Sequence, residues 1–139
     1  MPYQVERHTG GGFALAVYLH DARGSQVGTI GLGLTRPSEL FYGCRRNVEL
    51  LAATLGIRTP PVYFVWDVVL DEELQGRGHG SALYRRAFEE IPGSIVVPGF
   101  CHELSGSTSW EAQLVWDSLR RDYQFVGNGE ETAIYIPRR

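Results

Sequence analysis

The stretch LDEELQGRGHGSAL places three glycines, Gly76, Gly78 and Gly80, at alternate positions between an apolar strand-like run and a helix-like run. The chemistry open to such a junction is anion binding. Backbone N–H groups in the first turn of a helix have no partner within it. The helix dipole adds partial positive charge at the same end, and glycines leave room for a phosphate to approach the backbone. Arg77 adds a charge-assisted contact. Two common phosphate loops are excluded. The P-loop needs Lys-Ser/Thr after its last glycine, whereas Gly80 is followed by Ser81-Ala82 and the chain holds no lysine. The dinucleotide fingerprint GxGxxG fails at Ser81 and needs more strand–helix units than the chain can hold. A third pattern, Q/R-x-x-G-x-G/A, is matched completely by Gln75-Gly76-Arg77-Gly78-His79-Gly80.

The flanking sequence supplies the elements that hold this loop. Tyr3–Arg7 reads as a short strand, and Phe13–His20 with Gln26–Leu34 as a hairpin across the turn DARGS. Pro37 and Ser38 open a helix with Ser38 as N-cap; Leu40, Cys44, Val48, Leu51 and Leu55 recur at helical spacing until Gly56. VYFVWDVVL, Val62–Leu70, is nearly all apolar and too short for a typical helix, so it reads as a buried central strand. After the loop come a helix over Ser81–Ile91, a strand over Ser94–Phe100, and a helix over Trp110–Tyr123 with Leu114, Val115 and Leu119 inward. Gln124–Val126 and Thr132–Ile136 close the chain as paired strands. The order predicts a mixed α/β (α+β) fold with antiparallel N-terminal strands and a parallel pair in the centre.

Composition bounds the function. A chain of 139 residues, 43% hydrophobic and 21% charged, fits one domain over residues 1–139 with a real core. Net charge is −3 and the arginines come as scattered pairs rather than a basic stripe, so no nucleic-acid partner is expected. All 13 basic residues are arginine, which fits either codon usage or avoidance of lysine chemistry. Cys44 and Cys101 have no metal-ligand spacing and read as two free, buried thiols in a reducing compartment; no metal site is expected. The start lacks a signal peptide's basic flank and apolar run, and no stretch nears the roughly 20 apolar residues of a membrane span. A cytoplasmic protein without a membrane partner is the expectation.

The complete loop motif, together with VVLDEELQGRGHGSALY around it, resembles the acetyl-CoA signature of the GCN5-related N-acetyltransferase (GNAT) superfamily. The element order over residues 13 to 136 is also similar to that family's. The resemblance implies a sheet splayed between the central strand and the next, helices on both faces, and acetyl-CoA as co-substrate. It implies that the amides of Gln75, Gly76, Arg77, Gly78, His79 and Gly80, with Ser81, hold the pyrophosphate, and that the pantetheine arm bonds the main chain of Val68, Val69 and Leu70 like an added strand. The activity implied is transfer of acetyl to a small-molecule or protein amine by direct attack on the thioester, in a monomer or homodimer. The family's C-terminal helix often follows N-x-x-A-x-x-x-Y, and its tyrosine protonates the departing thiolate. Here the positions are Ser109, Ala112 and Trp116, and an indole N–H cannot serve as an acid. Trp116 is therefore expected to wall the slot beside the sulfur, with Tyr123 either substituting as acid or packing. Asp67 within the central strand is either an edge-facing carboxylate or the group that binds or deprotonates the amine. His102 and Glu103 fall where relatives contact the acceptor. The family's acceptor helices between its first two strands are missing, since only a glycine-rich turn stands there. Loss of the usual acid also motivates an alternative: a CoA-binding or regulatory module without catalysis.

Overall fold

Alternating apolar residues in FALAVYLH put Leu15, Val17 and Leu19 on one face of a strand, and all three are buried. This strand, β2 (Phe13–His20), pairs antiparallel with β1 (Tyr3–Arg7) and with β3 (Gln26–Thr35). In the computed structural model, which describes residues 2–8, 13–58, 60–102 and 110–138, a seven-stranded sheet runs β1-β2-β3-β4-β5-β7-β6. The remaining strands are β4 (Val62–Leu70), β5 (Ile95–Val97), β6 (Gln124–Val126) and β7 (Ala133–Tyr135). Only β4 and β5 are parallel, as the strand–helix–strand order requires.

Helices cover both faces. Helix α1 (Tyr42–Leu55) buries Cys44, Val48 and Leu51 against Val62, Phe64, Ile95 and Val97. Helices α2 (His79–Phe88) and α3 (Trp110–Leu119) cover the opposite face, where Leu83, Ala87, Phe88, Trp116 and Leu119 meet Leu15, Val17, Leu19, Ile30 and Leu32. Gly56 ends α1 in the left-handed region, φ 68°, with its N–H returning to Ala52 and Ala53.

Several expected boundaries move. Ser38 is not the cap of α1; it lies in a short 3-10 turn, Pro37–Glu39, and α1 begins four residues later behind Phe41. Glu39, rather than Ser38, supplies the local bond, accepting from the Arg36 N–H at 3.0 Å. The strand expected over Ser94–Phe100 is only Ile95–Val97, because Pro98 has no N–H to continue a ladder and Gly99–Cys101 coil into a 3-10 turn. Helices α2 and α3 stop short of Ile91 and Tyr123.

The cysteines are not free. Cys44 of α1 and Cys101 are disulfide-bonded, with Cα atoms 5.5 Å apart and both side chains fully buried. Sequence spacing could not reveal this, because 57 residues separate them and only the fold brings them together. An isolated bridge between Leu40 and His102 and the Phe41 N–H to Cys101 C=O bond (3.0 Å) hold the same segment beside α1. Closing a loop of this length corresponds to roughly 4 kcal/mol of chain entropy. Reduction by a small thiol should therefore lower unfolding stability by about 2–4 kcal/mol, read as a shift of the urea midpoint. An unchanged midpoint after complete reduction, verified by mass, would mean that packing alone holds this segment.

Candidate acetyl-CoA site

Strand β4 changes partners along its length. Its first three residues pair with β5, Val62 with Ile95, Tyr63 with Val96 and Phe64 with Val97. From Val65 to Leu70 it keeps β3 on one side, but β5 has left the other. Beyond Val97, Pro98 and the disulfide at Cys101 draw the chain toward α1, so the sheet splays and, among the described residues, a strip of β4 backbone is unpaired on that side. A bulge falls in the same place: Gly31 faces Asp67 and Leu32 faces Val65, so Trp66 has no counterpart in β3. The bulge shifts the side-chain alternation. Val68 and Leu70 pack with the α2/α3 face, whereas Asp67 and Val69 are exposed.

The glycine loop follows directly. Gly76 and Gly78 take left-handed φ of 76° and 84°, and a Cβ at either would meet no atom within 4 Å. The glycines are required by conformation, and the space above them is open. Gly78 is the N-cap of α2, whose first recorded main-chain bond runs from the Ala82 N–H to the Gly78 C=O at 3.0 Å. The N–H groups from Gly76 to Ser81 find no backbone acceptor among the described residues. The Gln75 side chain donates to the Leu70 C=O at 3.0 Å and so ties the loop to the end of β4. Such an array of free donors at a helix N-terminus is a ready anion site.

A cavity of about 770 Å³ joins these parts. It is lined by Val68 and Leu70, by Gln75, Gly76, Gly78, Gly80 and Ser81 of the loop, and by residues of α2 and α3 including Tyr84, Ala112, Leu114, Val115 and Ser118. This is the size and largely apolar character of a ligand site. Leu114, expected to face inward, is 57% exposed, at the slot rather than in the core. Arg77 and half-exposed His79 sit beside the loop without lining the cavity. Ser109 and Glu103 lie outside the described residues.

Three expected positions lie away from the slot. Trp116 does not wall the slot: at 1% exposure it belongs to the core. Its ring meets Tyr84 edge-on, with centroids 6.0 Å apart. Tyr123 packs edge-on against Phe88 under the Arg85 guanidinium and does not line the cavity. Burial pushes its hydroxyl pKa up, with Arg85 opposing. His102 is buried and stacked on Phe64 at 4.0 Å, so its ring is part of the α1-side core and not an open acceptor contact. Asp67, by contrast, is exposed and forms no ion pair with a described residue. Among the described residues no cluster of His, Cys, Asp or Glu could hold a metal ion.

Sequence reasoning missed Tyr84 as a residue lining the slot. The available signal was its position four residues after Gly80, which puts both on one helix face.

The profile of the acetyltransferase (GNAT) family matches residues 4–96. No protein of curated function is significantly similar in sequence. Among solved structures, AtaT complexed with acetyl-methionyl-tRNAfMet is similar in fold, with 17% identity and a TM-score of 0.51 over 88% of this chain and 70% of that one. AtaTR bound with AcCoA has 17% identity and a TM-score of 0.49, over 89% of this chain and 67% of that one. A histone acetyltransferase HPA2-related protein from Corynebacterium glutamicum has 16% identity and a TM-score of 0.47, over 92% and 66%. The chain thus spans about two thirds of the length of these neighbours. With the family profile over most of its length, a GNAT-like mixed sheet and the glycine loop at its splay, the chain belongs to the acetyltransferase (GNAT) family.

Proposed function

We propose that the protein is an acetyl-CoA-dependent N-acetyltransferase that works by direct attack of an amine on the thioester. The observation that carries this reading is the run of unbonded loop amides from Gly76 to Ser81 opening onto the unpaired edge of β4. The loop would take the pyrophosphate. The bare main chain of β4 would bond the pantetheine amides as an added strand, and one of its N–H groups would polarise the acetyl carbonyl. The amine would come from the other face, through the gap that β5 leaves. Asp67 and Trp66 stand at that gap, on the strand segment next to the bulge. An alkylamine is protonated near neutral pH, with a pKa of about 10.4 for a lysine-type amine, and must lose a proton before attack. Asp67 is positioned to bind the ammonium and to accept that proton through water.

The acceptor is an amine of a small molecule or a protein. The tRNA in the AtaT complex belongs to that protein; likeness at 17% identity is one of fold, so aminoacyl-tRNA enters here only as one member of an acceptor panel. Single-domain action as a monomer or homodimer in the cytoplasm completes the reading. No described helix is long and apolar enough to cross a membrane. Full burial of the Cys44–Cys101 bond would shield it from cytoplasmic thiols. A second reading, a CoA-binding module without catalysis, is favoured by Trp116 lying in the core and Tyr123 lying away from the slot. Calorimetry with acetyl-CoA followed by thiol release over an amine panel separates the two: saturable heat with no turnover on any amine favours the module.

Two substitutions test the assignment. Gly78→Val puts a side chain where the phosphate would lie and forces it into a left-handed φ of 84°. It should weaken acetyl-CoA binding at least ~100-fold, worth about 2.7 kcal/mol, in a protein that keeps its circular dichroism. Retained affinity in a folded mutant refutes the pyrophosphate site. Asp67→Asn, at an exposed position, should leave folding and acetyl-CoA affinity intact and lower kcat by ~10²-fold. A mutant rate equal to wild type across pH would make Asp67 a bystander.

A further inference from the structure

A Cβ at Gly31 of β3 would lie 2.5 Å from Phe13 Cε1, so a ring occupies the place of a side chain there. The Phe13 ring reaches from β2 across β3 and meets Trp66 of β4, with centroids 5.0 Å apart and planes tilted by 45°. Directly paired residues of neighbouring strands point to one face, and Gly31 pairs with Asp67. The Asp67 carboxylate thus shares a face with both rings, the face turned away from α2 and α3. The register continues the row: Gly31 pairs with Ala16, and Ala16 with Glu6. Three strand spacings set the two acids about 14 Å apart along the sheet, with the Phe13 ring and Ala16 between them. Asp67 and Glu6 are exposed, and Phe13 and Trp66 are half-buried. Among the described residues, the core beneath α1 includes none from β1, β2 or β3, so this part of the face is not covered by that helix. Arg7, the one arginine within β1 to β4, turns to the α2 side and bonds the Glu90 carboxylate at 2.9 Å.

We propose that this row is the acceptor subsite and that it takes an alkyl polyamine, with the reacting amine at Asp67, the alkyl stem over Phe13 and Trp66, and a further ammonium toward Glu6. This deepens the acetyl-transfer reading and rests on it. Charge complementarity selects the class. Carboxylates and aromatic rings both attract ammonium groups, and methylene stems pack on apolar rings while their charged ends stay in water. His8 Nε2 lies 3.0 Å from Glu6 Oε1, and a carboxylate has capacity for further donors beside it. An acceptor bearing its own carboxylate would meet two acids and no arginine on these strands. Amino acids are therefore disfavoured. In the transfer, the amine lone pair forms the N–C bond to the acetyl carbonyl, and the C–S bond breaks with its electron pair going to sulfur. The amine's surplus proton passes to water through Asp67, so nothing is oxidised or reduced.

Free CoA carries no acetyl group, so acceptor binding can be read on the CoA-saturated protein by calorimetry without turnover. On the wild type, spermidine should bind about tenfold more tightly than butylamine, which has a single charge. It should also bind more tightly than free lysine, which has a carboxylate. The advantage over butylamine should shrink as salt is raised. Gly31→Ala, whose Cβ displaces the Phe13 ring, and Glu6→Gln should each cut that advantage at least ~3-fold. If Gly31→Ala does not fold, Glu6→Gln, at an exposed position, decides alone. Equal affinity for spermidine and butylamine, tighter binding of lysine than of spermidine, or an advantage that survives these substitutions overturns the polyamine subsite and leaves acetyl-CoA binding standing. Spermidine that binds as expected but releases no thiol from acetyl-CoA overturns its role as acceptor. Absence of any heat with CoA itself overturns the acetyl-transfer reading and the subsite with it.

Discussion

The departure of β5 from β4 after Val97 is the constraint on which the rest depends. A parallel pair inside a sheet would normally satisfy every main-chain group along both strands. Here three residues of β4 are paired with β5 and the following six are not. Three local causes act in the same direction. Pro98 cannot donate to the ladder, the Gly99–Cys101 turn redirects the chain, and the disulfide to Cys44 fixes the turned segment beside α1. The bare strip is therefore a product of packing on the α1 face, and the slot lies on the other.

Ligand recognition at such a strip depends on backbone more than on side chains. The loop donors are main-chain N–H groups, and the two left-handed glycines are there to aim them. Side chains close the arrangement: Gln75 caps the Leu70 carbonyl, and Arg85 bonds Ser81 at 3.2 Å and pairs with Asp122 at 2.7 Å, which ties the start of α2 to the end of α3. The exposed side of Asp67 and the buried side of Val68 and Leu70 come from one bulged residue, Trp66. Had the strand alternated regularly onward from Val65, Asp67 would share Val65's face and point into the α2/α3 core, where an unpaired carboxylate is costly. The bulge thus assigns the apolar residues to the cofactor face and the acid to the open face.

Local patterns carried much of this in the sequence. The glycine loop, the continuous apolar strand and the helix stop at Gly56 each depend on neighbours in the chain, and each was legible. The long-range features were not. Cys44 and Cys101 are brought together by tertiary contacts across 57 residues, so spacing suggested free thiols where there is a bond. Trp116 aligns with a family tyrosine by motif, but its bulk and its apolar ring take it into the core beneath Tyr84, and motif spacing does not encode that depth. His102 follows the last parallel strand in sequence, yet the turn at Gly99–Cys101 lays its ring on Phe64. In each case the residue type was read correctly and its direction was set by contacts remote in sequence.

Amide hydrogen exchange with and without acetyl-CoA tests the central claim most directly, because the proposed contacts are main-chain N–H groups. Saturating acetyl-CoA should slow exchange in the loop from Gly76 to Ser81 and along the unpaired edge of β4, Trp66 to Leu70, and should leave α1 and the paired segment Val62–Phe64 unchanged. Protection confined to other regions, or none in these two segments despite saturable binding, would contradict the account.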